Sequence, residues 1–188
     1  MTLKRFKKLK MFEFREWPKI PRGQNEEITI TEKIDGTNAC VVIGDDGKFL
    51  GCQSRNKIIT PNSDNMGFAT WAEKNKIELE KLGPGYHYGE WAGPGIQQNK
   101  HKLETKKFFL FNSQRWSNNT DRPSCCDVVP VLFEGEYKYD VPQLIMGLLM
   151  NEAKKMNYEP EGIVIWFHKT RRYEKHTFKN QNGKWQEI

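Results

Sequence analysis

Lys33 stands two residues before an aspartate and three before a glycine, in the run Glu32-Lys33-Ile34-Asp35-Gly36-Thr37-Asn38. The run comes directly after residues that alternate apolar and polar, as a strand does. An amine at a strand end, beside a carboxylate and a glycine turn, can be presented as a nucleophile to a phosphate. Only the neutral amine attacks, so Lys33 needs burial or cationic company to lower its pKa. The same tetrapeptide in isolation also describes a solvated turn with a Lys33–Asp35 ion pair, and short strings of common residues carry little weight alone. The downstream motifs, in their order, supply the weight. Ser54-Arg55-Asn56-Lys57 offers a guanidinium fork for phosphate. Glu90 sits in a glycine-bordered segment where backbone can come close to a ligand. Phe108-Phe109-Leu110-Phe111-Asn112 is an aromatic strand, read as core packing on composition alone. Glu161-Gly162 precedes a strongly apolar run, which suits a hard-oxygen site for Mg²⁺ or Mn²⁺ as well as a solvated turn. Phe178-Lys179-Asn180 closes the series.

The elements that must position these residues can be read from periodicity. Residues 28–32, 39–43 and 48–54 predict strands, with a Gly44-Asp45-Asp46-Gly47 turn between the last two. Residues 86–91, 107–111, 163–167 and 173–178 predict further strands. One helix is expected from Asp64 as N-cap to Gly83-Pro84, with Phe68, Trp71, Ala72, Ile77, Leu79 and Leu82 along one face. A second is expected after Asp140, with Leu144, Ile145, Leu148, Leu149, Ala153 and Met156 spaced for burial. Residues 113–139 have weak periodicity and read as a long surface excursion. The sum is an α+β chain without regular β-α-β alternation, and no G-x-x-x-x-G-K-[ST] loop is present, which disfavours a P-loop nucleotidase.

At 188 residues the chain has length for one well-filled core, and one domain is the default. Thirty Lys plus Arg against twenty-four Asp plus Glu leave +6, which favours polyanionic partners or serves solubility. Lys4, Arg5, Lys7, Lys8 and Lys10 concentrate positive charge in a basic N-terminal segment, residues 1–27, either a solvated end or a phosphate-binding arm. Four cysteines without C-x-x-C spacing suggest neither zinc nor a disulfide framework, and fit reduced thiols in a cytoplasmic setting. No run of eighteen apolar residues and no leader pattern is present, so no membrane partner is expected.

Taken in order, these motifs resemble motifs I, Ia, III, IIIa, IV and V of the covalent nucleotidyltransferases, the superfamily of ATP-dependent DNA ligases, RNA ligases and mRNA capping enzymes. The likeness spans about residues 28–180 and is closest to the RNA ligase 2 branch, on Asn38 and the run Gly89-Glu90-Trp91-Ala92-Gly93-Pro94-Gly95-Ile96-Gln97. It implies a nucleotidyltransferase (adenylation) domain of mainly antiparallel sheets with flanking helices. It implies Lys33 as the nucleophile that takes AMP from ATP, Lys179 as its catalytic companion, and a divalent metal, Mg²⁺ or Mn²⁺, held by Glu161 and Asn38. Glu32, Arg55, Glu90 and Phe111 would hold the nucleotide: Arg55 on phosphate, Glu90 on the ribose hydroxyls, Phe111 against adenine. The sequence departs from the pattern at Asn112, where an aspartate is usual, and at Thr177, where motif V has its first lysine. Lys175, on the same strand face as Thr177, is the candidate substitute.

The expectation is thus an ATP-dependent polynucleotide ligase joining 3′-hydroxyl to 5′-phosphate, acting as a monomer on nicked or broken RNA. A minimal DNA ligase is the first alternative. An inactive ligase-like nucleic-acid-binding protein is the second, on Asn112 and Thr177. The length leaves no room for a C-terminal OB module, which disfavours a capping enzyme and requires the catalytic domain to grip its substrate. A cytoplasmic, phage-encoded repair enzyme fits the compact size.

Overall fold

The computed structural model describes residues 26–117 and 120–179, so the basic N-terminal cluster and Asn180 lie outside the described residues. The chain runs β1 (Glu27–Glu32), β2 (Thr37–Ile43), β3 (Phe49–Ser54), β4 (Ile58–Ile59), α1 (Phe68–Lys74), α2 (Lys76–Leu79), a 3-10 turn (Glu80–Leu82), β5 (Gly85–Ala92) and β6 (Lys107–Leu110). It continues through α3 (Ser113–Trp116), β7 (Cys126–Val128), β8 (Val131–Glu136), α4 (Val141–Lys155), β9 (Gly162–Phe167) and β10 (Arg172–Thr177). The strands form a four-stranded sheet, β10-β9-β1-β8, and a six-stranded sheet, β4-β3-β2-β5-β6-β7. Of these strand pairs, only β6–β7 is parallel. The α+β expectation holds.

Alternation along β1 decides which way the site residues face. Ile28 and Ile30 pack with Ile163, Ile165 and Phe167 of β9 against Ile145, Met146 and Leu149 of α4. Thr29, Thr31 and Lys33 therefore fall on the opposite face, toward the cleft between the sheets. A one-residue slip would turn Ile28 and Ile30, each at most 1% exposed, into that cleft. At about 2 kcal/mol per side chain, the slip costs on the order of 4 kcal/mol, so apolar burial sets the direction of Lys33. The six-stranded sheet buries its own far face, where Val41 and Trp91 meet Phe68, Ala72 and Leu82. Phe68 lies 5.0 Å from Phe108 and 5.3 Å from Trp91, ring centre to ring centre.

Three elements differ from the sequence expectation. The helix expected over residues 64–82 is broken into α1, α2 and a 3-10 turn. Asn75 interrupts it, since its side-chain amide donates to the Trp71 carbonyl at 2.8 Å and competes with the helical ladder. Asp64 does serve the helix start, but from a distance: its carboxylate accepts from the amides of Ala69 and Thr70. On α4, Ile145, Leu149 and Ala153 are buried as expected, whereas Leu144, Leu148 and Met156 are exposed. The excursion over residues 113–139 contains α3, β7 and β8, and β8 pairs antiparallel with β1. Its strand signal is weak because β8 is a half-exposed edge and Pro130 separates it from β7. Among the described residues, no helix is long and apolar enough to cross a membrane.

Gly162, the first residue of β9, marks a position where the sheet tolerates no side chain. It has φ +150°, and a Cβ there would lie 2.0 Å from the His176 carbonyl oxygen of β10. Its own carbonyl accepts from the Lys33 amide at 2.9 Å. Gly162→Ala is expected to destabilise the chain by about 3 kcal/mol or more, by strain and lost pairing. A thermal melt with a midpoint within a degree of the parent would show that no such strain arises.

Candidate active site

The cleft between the sheets is a cavity of about 770 Å³ with Lys33, Asn38 and Glu90 at one end. Each reaches it by register. Asn38 on β2 pairs directly with Glu90 on β5, and the Asn38 amide donates to Glu90 Oε2 at 3.0 Å. Gly36 makes this approach possible by lacking a side chain rather than by turning: a Cβ there would lie 2.5 Å from the Trp91 carbonyl and 2.8 Å from Glu90 Cγ. Lys33 continues β1 and its Nζ meets Glu161 Oε1 at 2.6 Å, an ion pair about three-quarters buried. Glu161 is fixed in turn through its carbonyl, which accepts from the Phe178 amide at 3.1 Å.

Glu90 is the electrostatically perturbed group of the site. Burial pushes its carboxyl up to about 7, with Glu161 and Asp35 adding to the shift and Lys33 and the Asn38 amide opposing it. A carboxyl poised near neutrality in a cleft beside a lysine is a usual mark of a functional site.

The other expected residues divide. Phe111 lines the cavity 39% exposed, with its amide on the Tyr88 carbonyl. Arg55 is exposed in the β3–β4 turn and lines a smaller recess with Asn38, Tyr88 and Phe111, at the rim of the main cavity. Lys179 is not on Lys33 here; it pairs with Glu159 Oε1 at 2.8 Å, and its hydrogen bond holds the Glu159 carboxyl below the usual range. Lys175 is exposed, two residues from the cavity-lining Tyr173 on the same face of β10. Glu32 borders the cavity, but its Oε1 accepts from His101 Nε2 and from the Tyr158 hydroxyl, both at 2.9 Å. It ties β1 to the 93–106 loop and to the segment after α4. Asp35 does similar work, accepting the amides of Gln98 and Lys100.

The two departures from the motif pattern have local structural roles. Asn112 caps α3, its Oδ1 accepting the Arg115 amide at 3.0 Å. The Thr177 hydroxyl donates to the Lys179 carbonyl at 2.7 Å, shaping the backbone that carries Lys179. Sequence reasoning missed His101, Tyr158 and Glu159. Their tight turns carry no periodic signal, and only the folded chain shows Glu32 and Lys179 as their partners.

Among the described residues, no group of three or more His, Cys, Asp or Glu forms a metal cage. What the site offers is Glu161, with Glu90 and Asn38 nearby. This hard-oxygen set suits a divalent ion that keeps most of its waters and takes the remaining ligands from phosphate.

Two sheets enclose a cleft in which a strand-end lysine meets Glu161 of its own sheet near Glu90 of the other, an arrangement that fits a nucleotidyltransferase domain. The sequence profile of the family described as RNA ligase matches residues 26–181, and the chain belongs to that family. It is similar in fold to a Naegleria gruberi RNA ligase variant solved with ATP and manganese, at 22% identity and a TM-score of 0.63, covering 82% of this chain and 50% of that one. A second variant of that ligase, with AMP and manganese, matches at 23% identity and a TM-score of 0.60, covering 81% and 49%. The chain thus spans about half the length of these relatives. No curated protein sequence matches it.

Proposed function

We propose that the chain is the adenylyltransferase domain of an ATP-dependent RNA ligase, sealing 3′-hydroxyl and 5′-phosphate ends. The observation that carries this reading is the convergence of Lys33, Asn38 and Glu90 on the lining of a nucleotide-sized cleft, with Glu161 paired to Lys33, in a chain of the RNA ligase family. Lys33 Nζ attacks the α-phosphorus of ATP. An N–P bond forms, the bond to the bridging oxygen of the β-phosphate breaks, pyrophosphate leaves and the amine loses a proton. An oxygen of the 5′-phosphate then displaces Lys33 from the adenylate, and the 3′-hydroxyl finally displaces AMP. Glu90 accepts the ribose hydroxyls, Phe111 stacks on adenine, and Arg55 and Lys179 bind phosphate. Glu161, together with Asn38 held on Glu90, would hold Mg²⁺ or Mn²⁺, which would supply positive charge against the phosphates.

Support for the nucleotide and metal comes from the ATP, AMP and manganese of the similar Naegleria structures. Incubation with ATP labelled at the α-phosphate and Mg²⁺ is expected to give a covalent label on a denaturing gel, whereas labelled GTP gives none. Absence of label, in protein shown by mass to carry no AMP already, would favour a ligase-like nucleic-acid-binding protein.

A further inference from the structure

The cavity continues well past its lysine end. Its outer end is walled by Tyr86 on one sheet and by Trp166, His168 and Tyr173 on the other. Tyr88 and Tyr86 stand two and four residues from Glu90 on one face of β5, which places them roughly 7 and 13 Å along the strand. The Tyr86 and Tyr88 rings are 6.3 Å apart and within 18° of parallel. Across the cleft the Trp166 and Tyr173 rings are 4.4 Å apart. These rings are not core: Tyr86 is 60% and Tyr173 68% exposed. The turn between β9 and β10 adds charge beside them. Lys169, Arg171 and Lys175 are exposed and make no ion pair among the described residues, whereas Arg172 is paired with Glu174 and lies over Phe167.

Exposed flat rings interleaved with unpaired cations match what unpaired nucleotides require. Ring faces accept any base by stacking, and the cations answer the phosphates. A base inside a continuous duplex has both faces covered by its neighbours and cannot lie on such a platform. We propose that the outer end of the cleft binds unpaired bases of the substrate strand, so that the chain takes single-stranded ends, as in a broken loop, in preference to a nick within continuous duplex. The proposal rests on the RNA ligase reading and names the substrate class for it. A peptide could also use the rings, but Lys169, Arg171 and Lys175, exposed on and beside the β9–β10 turn and without an ion pair among the described residues, favour a polyanion.

The test uses the full chain saturated with AMP, so that the lysine end is filled. Fluorescence anisotropy would track a labelled ten-nucleotide single-stranded oligoribonucleotide and a blunt duplex of the same length. Tyr86→Ala combined with Tyr173→Ala removes two exposed rings and is expected to weaken single-strand binding on the order of tenfold or more. Duplex affinity and covalent labelling by ATP are expected to stay within about twofold, which shows that the fold and the lysine end are intact. Replacing Lys169 and Arg171 with alanine is expected to lower the slope of log affinity against log salt by about 1 to 1.5. Unchanged single-strand affinity in the ring variant would overturn the proposal. So would single-strand binding that is seen only when AMP is left out, which would assign the rings to the mononucleotide, and so would absence of oligonucleotide binding to either chain both with and without AMP, which would leave the groove to a protein ligand. Failure of the ligase reading itself is distinguishable, since it appears as a missing ATP label whatever the oligonucleotide does.

Discussion

Lys33→Ala is expected to abolish covalent labelling by ATP and to lower ATP-dependent sealing by at least about a thousandfold, the scale on which loss of a nucleophile is felt. The reason is geometric. Lys33 is the lysine that the register of β1 turns into the cleft, its amide is pinned to the Gly162 carbonyl, and its Nζ is held 2.6 Å from Glu161 at the same end as Glu90. Lys179, the other motif lysine, sits on Glu159 and is not placed to take over. The loss should be chemical rather than structural. The Lys33–Glu161 pair is about three-quarters buried, so leaving Glu161 unpaired is expected to cost about 1–3 kcal/mol, less than the stability of a typical folded domain. A cooperative thermal melt that lies above the assay temperature, together with loss of label, is the combined result to look for. A further arm separates the steps: a strand supplied with its 5′-phosphate already adenylated bypasses the amine, and the Lys33→Ala chain should seal it without ATP. Retained ATP-dependent sealing by the variant would end the proposed mechanism.

How much of this site is legible in the sequence depends on whether a residue acts through its own strand or through a partner elsewhere. Lys33, Glu90, Asn38 and Glu161 are readable because each is at or beside a strand end whose alternation fixes its face, and because their order matches a known series. Phe111 is readable only by that order, since composition alone reads it as core alongside Phe108, which is indeed buried. The Glu32–His101–Tyr158 contact is not readable, because it joins positions 69 and 126 residues apart through loops. The same limit explains β8: its pairing with β1 depends on a bare sheet edge that only the assembled fold presents. Apolar stripes mislead on α4, where two adjacent i,i+4 rows run side by side and the sheet covers only the row of Ile145, Leu149 and Ala153. Gly36 differs in kind. Its sequence context reads as a turn, but its value is contact distance, a quantity that sequence does not display.

Glu90→Gln is expected to make the ligand-free chain more stable at alkaline pH while impairing its reaction with ATP. Glu90 is 8% exposed and its carboxyl is raised to about 7, against an ordinary value of 4.5, chiefly by burial. The native state therefore binds the Glu90 proton over a range where the unfolded chain has released it. By linkage, stability contributed by this group is fully present below about pH 4.5 and is lost as pH rises through about 7. At pH 8 the folded chain carries a buried charge whose cost is about 3 kcal/mol at most, from 1.36 kcal/mol per pKa unit. Glutamine keeps the shape and can still accept from the Asn38 amide, but it carries no charge, so its melting temperature should exceed that of the parent at pH 8 and match it near pH 4. Function runs the other way. On the proposed reading an ionised Glu90 would accept from two ribose hydroxyls, whereas the glutamine amide offers one acceptor oxygen, so labelling by ATP should fall by about tenfold or more, consistent with about 1.5–3 kcal/mol for a hydrogen bond to a charged group. In the parent chain, labelling at limiting ATP should rise between pH 6 and 8 as Glu90 ionises, and the variant should lack that component of the rise. Equal melting temperatures for parent and variant at pH 8 would mean that Glu90 carries no costly buried charge there. A stabilised variant with unimpaired labelling would remove Glu90 from the ribose, and the site would then owe its sugar contact to another group in the cleft.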